Sequence, residues 1–122
     1  MAQHATLSSH TWLLKVMNNL YEIDRKLALH GDGGHVMRNV EKIKDALSDH
    51  ISYEIFYEDP MGQKFKETRS DLDVTITGNS SEDLYVVEVI KPIIRIASSD
   101  HRQVIQKGSV VVASKNEEVG NG

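Results

Sequence analysis

The apolar residues of this chain change period once, near His50, and that change limits the folds open to it. Before it, Leu13, Val16, Leu20, Ile23 and Leu27 follow steps of 3, 4, 3 and 4. Val36, Val40, Ile43 and Leu47 follow steps of 4, 3 and 4. Such spacing lines one side of a helix, because 3.6 residues complete a turn. After His50, Tyr53, Ile55 and Tyr57 alternate with Glu54, Phe56 and Glu58, and "DVTITG" (Asp73 to Gly78) alternates again. A period of 2 belongs to a strand. Helices first and strands afterwards, at short spacing, predict an α+β fold, since a parallel α/β sheet needs the two kinds interleaved.

The punctuation agrees with that division. A first helix is expected over about residues 9–29, capped by Ser8 or Ser9, with Trp12, Met17 and Tyr21 widening its apolar stripe. "HGDGGH" (His30 to His35) interrupts it. Gly31 suits the left-handed position that ends a helix, and Asp32 can cap the next. A second helix follows over about 36–49, with Glu41, Lys42, Lys44 and Asp45 on its polar side. The pair predicts an αα-hairpin, with a kinked single helix as the alternative. "EDPMG", "NSSED" and "SSDH" read as turns between strands. "YVVEVIKPIIR" (Tyr85 to Arg95) is the most strand-like stretch and breaks at Pro92. "VIQKGSVVVAS" (Val104 to Ser114) supplies the last strand or strand pair, with Gly108 as a bend or bulge. The expected domains are a helical hairpin over 1–51 and a small β-domain over 52–115, with a disordered tail over 116–122. Leu20, Ile23, Val40, Ile43, Val87, Val89 and Val111 are expected in the core.

Composition narrows the function classes. The chain of 122 residues has no cysteine, which removes disulfides, thiol nucleophiles and Cys-ligated zinc. Its amino-terminal segment has no basic stretch leading into an apolar signal core, and its apolar runs reach only three to four residues. A cytoplasmic protein without membrane contact is expected. Residues 1–51 carry 6 basic and 6 acidic side chains; residues 52–122 carry 8 and 12, and 8 minus 12 is the whole net charge of −4. No basic patch with interleaved aromatics is visible, so nucleic-acid binding is not expected.

Three groups could in principle carry chemistry. His30, Asp32 and His35 could ligate a metal, but their spacing matches no zinc pattern and helix-end capping explains them more simply. "GDGG" lacks the preceding strand and the Lys-Ser/Thr of a phosphate loop. Glu67, Asp71 and Asp73 could act as paired carboxylates, yet beside a strand they read as a solvated rim with Arg69 as a screen. No nucleophile elbow is present. The expectation is therefore no enzyme, no metal and no cofactor. Two short helices cannot bury wide stripes against each other and also shield a β-domain. A second copy, forming a four-helix bundle, would solve this. The expected homodimer interface is Leu13, Val16, Leu20, Ile23, Leu27, Val40, Ile43 and Leu47, with a monomer as the alternative.

Taken in order, the segments resemble GrpE, the nucleotide exchange factor of Hsp70-type chaperones. "LLKVMNNLYEIDRKL" (Leu13 to Leu27) and "VMRNVEKIKDAL" (Val36 to Leu47) resemble its successive bundle helices. "GQKF" (Gly62 to Phe65) keeps the Gly-x-x-Phe spacing at the entry to its β-domain. "VVEVIK" (Val86 to Lys91) and "VIQKGSVVVAS" resemble two of its strands. The resemblance covers about residues 11 to 115. It implies a stalkless co-chaperone, dimeric through the hairpins, whose all-β head binds an Hsp70-type ATPase domain and promotes nucleotide exchange. The partner-binding residues it implies are Arg95, Arg102, Gln103, Val104, Gln106 and Lys107. This chain departs from the family pattern at Pro92, Ile93 and Ile94, where the family has a Gly-Tyr pair, and its hairpin is longer. Gln103 stands for a family Arg, and Gln106 with Lys107 for an Arg-Pro. Arg95 or Arg102 could supply a displaced positive charge. The alternative implied is an adaptor or scaffold of the same fold that binds another protein and has lost exchange.

Overall fold

The computed structural model describes residues 2–51 and 53–115, and for residues 2–10 and His50 the backbone alone. Two helices precede six strands: α1 (Ala2–His30), α2 (Val36–His50), β1 (Glu54–Glu58), β2 (Leu72–Ile76), β3 (Leu84–Lys91), β4 (Ile93–Ser98), β5 (His101–Gln106) and β6 (Gly108–Ser114). The fold is thus α+β, as the change of period predicts. The strands form two three-stranded sheets, ordered β1-β4-β5 and β2-β6-β3. The tail expected over 116–122 lies outside the described residues.

The chain divides into two compact units, each made of two separate stretches rather than one consecutive run. One unit holds Met1–Tyr57 with Ile94–Ile105, the other Glu58–Ile93 with Gln106–Gly122. The β4-β5 hairpin therefore belongs with the helices. The apolar stripe of the helices supplies the reason, because it needs a sheet to cover it and the first sheet does so. No helix among the described residues is long and apolar enough to cross a membrane.

In the first unit α1 runs from Ala2, well before Ser8 and Ser9, so neither serine begins the helix. Gly31, with φ of 87°, ends it, and the Gly31 N–H donates to the Leu27 carbonyl at 2.7 Å. The Asp32 carboxylate then accepts from the Val36 and Met37 N–H groups at 2.6 and 3.0 Å. These are donors that the first turn of α2 would otherwise leave unpaired. Leu13, Met17, Leu20 and Val40 form one core with Ile55 of β1 and Ile94 of β4. Full burial of each such side chain contributes about 1.5–3 kcal/mol. The stripe that is buried on α1 is Leu13, Met17, Leu20 and Tyr21 rather than the full 3.5-residue seam. A straight helix drifts away from such a seam, and Ile23 and Ile43 are left 37% and 44% exposed. The expectation of Ile23 and Ile43 as core residues is corrected accordingly.

In the second unit β6 is the central strand, parallel to β2 and antiparallel to β3. Its apolar run suits that place, and Val110 and Val112 are buried, as are Leu72 of β2 and Leu84, Val86 and Val89 of β3. Register shifts between Val86 and Glu88 and between Val89 and Lys91 add a residue to β3 each time. Each extra residue reverses the alternation. Val86 and Val89 are therefore buried while Val87 is half-buried, which corrects the expectation that Val87 and Val89 share the core face. Val111 is half-buried rather than in the core. The outer edge of β3 is paired by Gly62–Phe65: the Gly62 and Phe65 N–H groups donate to the Val86 and Leu84 carbonyls. Gly108 opens β6, and a Cβ there would lie 2.9 Å from Ile93 Cγ1 and Leu72 Cδ2. Only glycine fits so close an approach without displacing a neighbour.

Candidate protein-binding face

The first sheet has two unlike faces. Ile55, Tyr57, Ile94, Ile96 and Ile105 pack on the helical side. Successive side chains of a strand point to opposite faces. Phe56, Arg95 and Val104 are therefore turned outward, and each is half-buried. A two-residue turn at Ser99–Asp100 joins β4 to β5, the connection that antiparallel neighbours permit. It brings Arg102 back over the sheet, where its guanidinium lies 5.4 Å from the Phe56 ring centroid. At that distance the ring's quadrupole attracts the cation. Arg102 itself is exposed and makes no ion pair among the described residues.

This face gathers Arg95, Arg102 and Val104, three of the six residues that the resemblance implies for partner binding. Gln103, between Arg102 and Val104, points the other way along the strand and is exposed. Gln106 lies in the second unit, where its side-chain amide donates to the Pro92 carbonyl at 3.0 Å. Lys107 is the single residue between β5 and β6 and is exposed. Phe56 is the member that the sequence reading missed. Its signal was present, since an aromatic at the polar phase of an alternating strand has to lie on the outer face.

The other candidates have places of their own in the fold. Asp32 caps α2, while His30 and His35 are exposed. No group of three potential ligands close enough to hold a metal occurs among the described residues. Asp71 accepts a bidentate pair of bonds from Arg69 at 3.0 and 3.1 Å, and the same guanidinium donates to Gln63 Oε1. That arginine is a brace for the approach to β2, and Glu67 and Asp73 are exposed outside it. A shallow hollow of about 550 Å³ lies beside Ser48, Tyr53, Glu54 and Ser99, and no hydrogen bond joins Glu54 to a serine there among the described residues.

The eight residues expected between two copies separate into three groups. Leu13, Leu20 and Val40 are 1–3% exposed within the single chain, so its own core already uses them. Val16, Leu27 and Leu47 are half-buried. Ile23 and Ile43 are exposed, as are Trp12 and Val36. The apolar surface left for a second copy is therefore displaced from the full seam towards Trp12, Ile23, Val36 and Ile43.

No known family model, curated protein or solved structure matches this chain. What the fold and the outer face define is a class: a small α+β protein whose helical hairpin backs one sheet and whose exposed side offers an arginine over an aromatic ring.

Proposed function

We propose that the protein is a GrpE-like co-chaperone. It binds the ATPase domain of an Hsp70-type chaperone through its β part and promotes nucleotide exchange. The observation that carries the reading is the meeting of Arg95, Arg102 and Val104 on one sheet face, since the resemblance assigns these residues to partner binding. The order of a helical hairpin followed by short strands supports it as well. The mechanism needs no catalytic group. A β part that binds the open nucleotide cleft more tightly than the closed one shifts the partner's population towards opening and release. A hundredfold preference, about 2.7 kcal/mol, moves that equilibrium a hundredfold. The protein works in the cytoplasm, as a homodimer through its hairpins.

One observation favours a second reading. Gln106, which stands where the family has an arginine, is tied to the Pro92 carbonyl. A neutral amide so bound replaces neither the charge nor the planar fork of an arginine. An adaptor of the same fold, binding another protein without exchange, fits that substitution. Loading the host's Hsp70-type chaperones with a fluorescent nucleotide and adding the protein separates the two. Faster release at micromolar protein is expected for the first reading. Unchanged release for every such chaperone of the host would leave the adaptor.

A further inference from the structure

We infer that the open edge of β2 takes up an extended, basic segment of a partner protein as an added strand. This is independent of the outer face of the β1-β4-β5 sheet and of nucleotide exchange. The Gly108 N–H donates to the Asp71 carbonyl, and the Thr77 N–H to the Val112 carbonyl. In a strand the N–H and C=O of one residue share a side, and those of the next take the other. Asp73 and Thr75 therefore turn their backbone groups towards β6, and Leu72, Val74 and Ile76 turn theirs outward. β2 ends the sheet order β2-β6-β3, and no loop or turn among the described residues bonds to that outer side. The other sheet edges carry features that discourage pairing. β3 is covered by Gly62–Phe65 and has two register shifts. β1 carries Glu54 and Glu58, and β5 carries His101 and Arg102. β2 follows β6 without a shift and has no Pro, Lys or Arg. On such an edge main-chain bonds supply affinity, and alternate side chains supply specificity.

The side chains of the edge select the occupant. Val74 and Ile76 share a face with Val110 and Val112, which are 1% and 0% exposed. Ile76 is 50% exposed, so the apolar layer stops uncovered at this edge. An apolar side chain on an added strand would lie beside it. The other face of β2 carries Asp73 and Thr75, both exposed. Asp73 makes no ion pair among the described residues. Over residues 70–81 the one other charge is Asp71, which Arg69 already holds. Next to Asp73 and Thr75, β6 places Ser109 and Val111. One strand further, β3 places Lys91 and Glu88, one of each sign and about 10 Å from β2. The charge that an added strand meets is thus the Asp73 carboxylate, and a Lys or Arg across from it is favoured over an acid. A second copy of β2 fits less well. The antiparallel two-fold pairing that uses Leu72, Val74 and Ile76 centres on Val74 and sets the two Asp73 carboxylates diagonally across the seam, where like charges repel.

The full chain, labelled with ¹⁵N, is titrated with the capped heptapeptide Thr-Val-Lys-Val-Thr-Val-Thr and with its analogue carrying Glu in place of Lys. The Lys peptide is expected to move the amide resonances of Leu72, Val74 and Ile76 and to slow their hydrogen exchange. The Glu peptide is expected to bind about fivefold more weakly. Asp73→Lys is expected to reverse that order and to keep the circular dichroism of the parent. The Lys peptide with its backbone N–H groups methylated keeps the charge but cannot donate to β2, and is expected not to bind. No response to the Lys peptide at about 1 mM, equal binding of the Lys and Glu peptides, an unchanged order in Asp73→Lys, or shifts confined to another surface overturns the inference. Shifts of Leu72, Val74 and Ile76 that follow the chain's own concentration without peptide give the edge to a second copy, and overturn it as well. Nucleotide release measured on the same samples keeps the two ideas apart. Exchange without a response to the Lys peptide removes this inference alone, and a response without exchange removes the exchange reading alone.

Discussion

Lys44 of α2 reaches across the hairpin to Asp24 of α1, its Nζ 3.1 Å from Asp24 Oδ2. The same ammonium stands 4.6 Å over the ring of Tyr57, which meets Tyr21 edge-on at 5.7 Å. Asp24 Oδ1 and the Tyr57 hydroxyl are both buried without a hydrogen-bond partner among the described residues. The contact therefore ties both helices to the first strand in a poorly solvated place. The two side chains keep 28% and 20% exposure, which screens part of the attraction.

From this follows an asymmetric cost. Lys44→Met keeps the length of the stem but leaves Asp24 half-buried with no counter-charge. It is expected to lower stability by about 1–2 kcal/mol, less than the loss of a fully buried pair. The double variant Asp24→Leu, Lys44→Met leaves neither charge alone and is expected to recover most of that loss. Urea midpoints of the four proteins in the cycle measure it. Equal loss in the single and double variants would mean that packing, and not the pair, carries the effect.

The loop between the helices makes a second prediction. Asp32 holds two N–H groups of α2, and its replacement by Ala is expected to cost about 1 kcal/mol. Gly31 has φ of 87°, where a Cβ is strained, so Gly31→Ala is expected to cost about 1 kcal/mol as well. Gly33→Ala next to them serves as the control, since its Cβ would meet nothing within 4 Å and its φ is not in the left-handed region. Thermal unfolding that ranks the Gly33 variant with the other two would contradict this account of the loop.

How far the sequence could be read follows from what each signal measures. Gly31 and Asp32 were legible because the backbone demands of a helix end are local. The period of 2 in "YEIFYE" and "DVTITG" was legible because one face of each strand meets solvent. The bulges of β3 were not, because an extra residue is defined only against the partner strand β6. Lys44 was misplaced for a related reason. As a charged residue between Ile43 and Asp45 it reads as solvated, and only the positions of Asp24 and Tyr57 give it a reason to turn inward. The assignment of β4 and β5 to the helical unit was equally hidden. "PIIRIA" and "RQVIQ" look alike whether they cover helices or close a β-domain. At the candidate face Arg95, Arg102 and Val104 were named through a family pattern; the outward phase of Phe56 was legible in the alternation of β1, whereas its meeting with Arg102 needed the pairing of distant strands.

Gly108 tests the second unit alone. A Cβ at that position meets Ile93 and Leu72 side-chain carbons at 2.9 Å, and Ile93 is buried to 1% exposure. Gly108→Ala is therefore an overpacking change, expected to destabilise by about 1–3 kcal/mol. Adding Leu72→Ala opens space on one side and is expected to relieve part of the clash, although that change alone is destabilising. Additive losses in the double variant, measured by denaturant unfolding, would show that the approach to Leu72 does not limit the site.

The surface left on the hairpin decides how two copies could meet. The Lys44–Asp24 bond sets the register of the helices, and the residues just before its partners, Ile43 and Ile23, share one level of the hairpin. Both are exposed, with Trp12 further along α1 and Val36 at the start of α2. Leu20 is 3% exposed and belongs to the chain's own core. Charge introduced at these positions should therefore act differently. Ile23→Asp with Ile43→Asp is expected to keep the helical circular dichroism of the parent and to lower the sedimentation mass from two chains to the 13.7 kDa of one. Leu20→Asp puts a carboxylate into an apolar core and is expected to unfold the protein instead. A parent that sediments as a single chain at high concentration sinks the dimer. A parent dimer that survives both isoleucine changes sinks this surface as its interface, and leaves the pairing to be sought on the sheets.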